Sequence, residues 1–128
     1  MSYQANIYTA LAANATLAGL VATRIFPDVA DGTAVAPYIV YQVVSTAGET
    51  PHDGDRNLEF PLIQFSCWAQ SKAGAIALAS AVNNVLDGKT LAGSSNVSLQ
   101  FSNQFGTYES DTKLFGEILE YRAATTTN

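Results

Sequence analysis

"LEFPLIQFSCWAQSKAGAIALASAVNNVLDG", residues 58–88, places two hydrophobic periods end to end. Up to Gln70 the period is two. Ile63, Phe65, Cys67 and Ala69 fall on one side, and Gln64, Ser66 and Trp68 on the other. That alternation predicts a strand over 58–70 with one core face and one polar face, the tryptophan being the exception. Pro61 cannot donate to a ladder, so it predicts an edge or a bulge near the start of this strand. From Ser71 the period lengthens. Ile76, Ala79, Val82 and Leu86 form a helical stripe, widened by Leu78 and Val85. Ser71 suits the N-cap and Gly88 the stop, which gives a long helix over about 71–87. Its alanines permit close approach to a sheet. A half-polar strand that runs straight into an amphipathic helix predicts an α+β sandwich, with the helix covering one sheet face.

The flanking sequence extends this plan. "YIVYQVVS", 38–45, is β-branched and aromatic on both faces, as in a central strand. In 97–105, Val97, Leu99 and Phe101 point in, while Ser98, Gln100 and Ser102 point out. Residues 112–123 read as a last strand with Leu119 and Tyr121 in the core, and "TRIFP", 23–27, as a short first one. Before it, Ile7 and Leu11 mark a helix over 3–13, and Leu17, Leu20 and Val21 a shorter helix over 15–22. Asn14 either ends the first or caps the second. The expected order is α-α-β-β-β-α-β-β, with an antiparallel sheet of about five strands, an N-terminal helical unit and the one long helix. The chain reads as a single domain, 1–128, ending in a polar tail at 124–128.

Composition narrows the function. Of 128 residues, 48% are hydrophobic, enough for a real core, and 13% are charged, about half the usual share. So weakly charged a surface suits contact with other protein. The formal net charge is −5, and the six Lys and Arg are scattered, so no basic stripe exists to hold phosphates. Cys67 is alone, which rules out a disulfide framework or a cysteine-based zinc site, and its strand position makes it a small buried apolar group. The opening residues lack the pattern of a secretion signal, and no apolar run reaches the roughly 18 residues of a membrane span. A cytoplasmic site of synthesis is expected, with no membrane partner.

The oddest stretch is "STAGETPHDGDRNLEFP", 45–61, which holds the chain's single histidine. His52 has Asp53 and Asp55 as neighbours but no nucleophile in a recognisable elbow, so it reads as a loop residue. Asp53, Asp55, Asn57 and Glu59 alternate like the start of a calcium loop. Leu58, however, stands where that loop needs glycine, and Gln64 where it needs a bidentate glutamate. Glu117 and Glu120 lie on opposite faces of their strand and make no acid/base pair. No glycine-rich phosphate loop is present. No enzyme, metal or cofactor is visible. Residues 46–57 read instead as an extended hairpin arm whose polar tip reaches a neighbour, with a solvated hairpin tip as the plain alternative.

Several short runs carry a resemblance. "IYTALAANATLAGLVATRIFPDVADGTAVAPYIVYQVVS", 7–45, holds a helix ending in L-x-x-L-V, then RIFP, then PYIVYQ. "IQFSCWAQSKAGAIALASAVNNVLDG", 63–88, adds the CWA strand and an alanine-rich helix, and a "YESDTKLF" link precedes the closing strand. In this order they resemble the tail-completion, or tail-terminator, proteins of long-tailed bacteriophages, whose counterparts occur in gene-transfer agents. The resemblance implies a ring, usually a hexamer, on the head-proximal end of a tail tube. It would end tube polymerisation and join the tail to the head connector, with DNA passing through but not bound by sequence. The implied partners are like subunits, the tail tube protein and a head-completion or stopper protein, all within a virion. The family has no catalytic residues to transfer.

A ring needs two different faces that close by rotation. Trp68 is the first interface candidate, against a tryptophan tucked beneath a loop or the first helix. The arm supplies Glu49, His52, Asp53, Asp55 and Arg56, although exposed ion pairs there contribute only about 0–1 kcal/mol each. Tyr3, Tyr8 and Tyr108 are weaker candidates. A head–tail stopper or connector adaptor is the alternative reading. A small-ligand module is disfavoured because no polar cluster converges.

Overall fold

The computed structural model describes residues 2–22, 24–28, 35–49, 58–88, 90–91 and 95–127. Its elements run α1 (Ser2–Ala13), α2 (Ala15–Val21), β1 (Ile25–Pro27), β2 (Tyr38–Glu49), β3 (Leu58–Ala69), α3 (Lys72–Leu86), β4 (Thr90–Leu91), β5 (Ser95–Glu109) and β6 (Leu114–Thr127). They form one curled, six-stranded sheet in the order β1-β2-β3-β6-β5-β4. Every neighbouring pair is antiparallel except β1 and β2, which are parallel. The α+β class and the helical elements are as the sequence predicts. The added strand is β4, a two-residue edge pairing Thr90 with Ser98 and Leu91 with Val97.

The period-two reading of β3 holds. Ile63, Phe65, Cys67 and Ala69 are buried, and Gln64, Ser66 and Trp68 are half-exposed on the opposite face. The helices cover the first face. Ile7, Leu11, Leu17 and Val21 from α1 and α2 join Leu78, Ala79, Val82 and Leu86 of α3 against Ile39, Ile63, Phe65, Leu119 and Tyr121. Leu119 and Tyr121 are both fully buried, as expected. Tyr121 stands edge-on to Phe65, with centroids 5.4 Å apart, and its hydroxyl donates to Asn83 Oδ1 at 2.6 Å. That bond satisfies the polar tip that burying a tyrosine would otherwise strand.

The caps follow the sequence. Asn14 caps α2, its Oδ1 accepting from Leu17 N, and Ser71 caps α3 by accepting from Gly74 N. Gly88, at φ +69°, takes the left-handed turn that stops α3, and its N–H donates to Leu99 O.

One expectation holds in half and three are corrected. Pro61 lies in a central strand, so the edge reading fails, while the bulge reading holds. Phe60 and Pro61 have no ladder partner on β6, and β2 bulges between Val43 and Ser45 alongside, so the sheet absorbs the missing donor by a local break. Ile76 is 46% exposed, because the buried stripe of α3 runs through Ala75, Leu78, Ala79, Val82 and Leu86. Phe101 is 38% exposed. It touches the Tyr121 ring from the sheet margin, just before a bulge between Phe101 and Asn103. The polar tail is strand as far as Thr127: Thr125 pairs with Glu59 and with Val97, and is buried. Threonine suits a pleated strand, and pairing on both sides holds the end in place.

Candidate functional site

The face of the sheet turned away from the helices is the candidate contact surface. Register alone places Tyr38, Trp68, Gly116 and Thr107 in one row across β2, β3, β6 and β5. The Trp68 ring lies over the backbone of Gly116. A Cβ added there would stand 2.8 Å from Trp68 Cζ3 and 3.0 Å from Thr107 Cγ2, so only glycine admits the ring. Among the described residues, the Trp68 ring packs on Gly116 and Thr107 of the neighbouring strands. It is half-buried on the open face, held flat by a glycine that the sequence presents as an ordinary strand residue. The Phe26 ring meets Tyr38 edge-on at 6.1 Å and extends the aromatic row to β1. Burial pushes the Tyr38 phenol above its ordinary value, and the Glu109 charge adds to that.

Farther along the same face the lining is polar. Gln64 and Asn103 both donate to Glu120, each at 3.4 Å. Phe105 is 44% exposed beside Ile118, its partner in the ladder. Tyr108, 52% exposed, lies instead on the helix-side face and tilts against its ladder partner Phe115. Tyr8, by contrast, packs against the core.

One buried charge lies on the helix side. Glu117 accepts from Lys72 Nζ at 2.6 Å and from Gln104 Nε2 at 2.8 Å, tying the first turn of α3 to β6 and β5. Burial pushes its carboxyl up. The bonds from Lys72 and Gln104, with the Lys72 charge, outweigh that and leave it below the usual carboxylate value. Glu120 is on the other face, as the alternation requires. Burial, reinforced by the Glu117 charge, pushes the neighbouring Cys67 thiol far up, which makes it inert as a nucleophile. Among the described residues no three His, Cys, Asp or Glu side chains could share a metal.

The structure places the arm candidates only in part. β2 and β3 are paired as far as Glu49 and Leu58, the last of their pairs among the described residues. His52, Asp53, Asp55 and Arg56 lie outside the described residues. Trp68 lies at the other end of that ladder from Glu49, so these two candidates do not share one cluster. The partners of Trp68 (Tyr38, Gly116 and Thr107) come from three other strands, and only strand alternation hinted at them.

Three comparisons bear on the chain. The profile of a family described as "Tail completion protein gp17" matches residues 5–126. A solved chain in a structure titled "Virion of native gene transfer agent (GTA) particle" superposes with a TM-score of 0.82, at 24% identity, over 96% of this chain and 93% of that one. That likeness carries the fold. Among curated proteins no match is found.

Proposed function

The chain belongs to the tail completion protein family, a family of structural proteins and not of enzymes, and on that premise we propose that its copies close into a ring at the head-proximal end of a phage-like tail tube. The ring ends tube polymerisation and joins the tail to the head connector. The observation that carries this reading is the near end-to-end family match, over residues 5–126. The fold shared with a chain from a gene transfer agent virion supports a place in such a particle. The aromatic row around Trp68 supports protein contact, since half-buried aromatics are enriched where proteins meet. The neighbours are like subunits, the tube protein and a head-side stopper.

DNA passes through the ring without adhering. The net charge of −5 on each copy repels phosphate wherever it faces the passage. A passage lined by Arg24, Arg56 and lysines would overturn that part.

The test is deletion of the gene in a producing bacterium, followed by imaging of the particles. The expected result is tails of abnormal length, or heads and tails left unjoined. Normal particles at normal yield would overturn the reading.

A further inference from the structure

Among the described residues, the sheet has two unguarded edges. On the β5 side, β4 covers only Val97 and Ser98, and Asp87 Oδ1 takes the Phe101 N–H. Beyond that, no described strand pairs with residues 102–109 on the side away from β6. On the β2 side, β1 covers Ile39 to Tyr41, and the Asp28 N–H closes onto Tyr41 O. Residues 42–49 are likewise open among the described residues. Natural edges carry lysine or proline where strand addition must be prevented. "SNQFGTYE", 102–109, and "QVVSTAGE", 42–49, contain neither. Each strand has its bulge at the start of its open stretch, which leaves most of that stretch regular.

We propose that copies of this chain join head to tail by antiparallel pairing between residues 102–109 of β5 in one copy and 42–49 of β2 in the next. The inference rests on the ring reading and names the contact that closes it. Three features of the chain select a second copy as the occupant. The strands β2, β3, β6 and β5 alternate in direction, so the next copy's β2 meets β5 antiparallel and the alternation continues unbroken. The two open stretches also match in length.

The third feature is a slide that clears both short strands. Gln42 is level with Asn103 through Gln64 and Glu120, and Glu49 with Asn96 through Leu58 and Thr126. Facing the open stretches therefore needs a slide of about six residues, roughly 20 Å along the strands. That slide carries β1 past Glu109 and the end of β2 past β4. A constant slide at every junction is what tilts the strands of a sheet closed on itself.

Proline tests the pairing without breaking the subunit. Because Phe101 N and Leu99 O face outward, the alternation after the bulge turns the Tyr108 N–H outward too. On β2, Ile39 N and Tyr41 O face outward, and the alternation after that bulge does the same for Thr46. Tyr108→Pro and Thr46→Pro each remove a donor that the subunit's own ladder does not use. Each variant replaces the wild-type gene in the producing bacterium, with thermal melting of the purified chain as the folding check. Joined particles should fall at least about tenfold while the fold persists, because proline blocks strand addition.

Hydrogen exchange on wild-type chain decides the matter if a variant misfolds. Peptides spanning 102–109 and 42–49 should be protected in purified particles and exchange freely in the dissociated chain. Full rescue by both variants, or equal exchange in the two states, overturns the edge pairing. If deletion of the gene harms assembly in that same case, the ring reading stands without it. Normal particles on deletion would remove both.

Discussion

Among the described residues, Glu117 is a buried charge that is tied to its surroundings by side chains from two other elements. Its carboxylate is almost fully buried, while the Lys72 ammonium that holds it is 53% exposed. Solvent screens that end, so the pair is worth only about 1 kcal/mol. The carboxyl is held below its ordinary value, so its contribution is fully present above the unfolded value, about 4.3. It is lost as pH falls through the lower folded value. Glu117→Gln should therefore melt several degrees below wild type at pH 7, and the gap should narrow as the pH falls below about 4.3. A gap that does not narrow on acidification would show that shape, not charge, sets the cost. Strand alternation puts Glu117 on the face of Leu119 and Tyr121 and Glu120 on the other, so which of the two is buried is legible in the sequence, but what makes that burial tolerable is not. The deciding partner, Lys72, comes from another element. The same holds for Gly116, whose need for glycine depends on Trp68, a residue of a different strand.

At the scale of elements, α3 is where reading and structure part most usefully. Its caps are local, so Ser71 and Gly88 could be read directly. Most of its buried face could be read as well: Leu78, Ala79, Val82 and Leu86 are buried as expected. The main difference is that Ala75, and not Ile76, completes the set. Isoleucine is the most apolar choice, and hydrophobicity alone favours it. Packing favours alanine, since β3, β6 and α2 leave room only for a small residue where the helix lies close. Ile76→Lys should leave the melting temperature nearly unchanged, within about 0.5 kcal/mol, as for other exposed sites. Leu78→Ala should cost about 2–5 kcal/mol through the cavity it leaves. The reverse ranking in thermal or urea unfolding would mean that the helix is rotated by about one residue, or 100°. Pro61 teaches a related lesson about strands. Its missing donor was legible, but the break in the β3–β6 ladder that accommodates it depends on the neighbouring strands.

At the scale of the molecule, the sequence carried the fold class and the family because both rest on the order of core segments. It did not carry the surface that assembly uses. Contacts between copies leave no period in the chain, and the arm at 46–57 is odd only by composition. Among the described residues the paired ladder reaches Glu49 and Leu58, which allows the arm to be tested apart from the fold. Replacing residues 50–57 with Asn-Gly closes the hairpin with the tight turn that suits antiparallel strands. Loop entropy falls by roughly 0.6 kcal/mol per halving of length. Stability should thus hold or rise by about 1 kcal/mol, read as an unchanged or higher melting temperature. Assembly should respond differently. If His52, Asp53, Asp55 and Arg56 reach a neighbouring subunit or the tube, particles made with the shortened chain should show unjoined heads and tails, although the subunit is folded and present in normal amount. Normal joining by the shortened chain would remove these four residues from the contact surface. Contact would then rest with the sheet itself, with its Trp68 face and its two open edges.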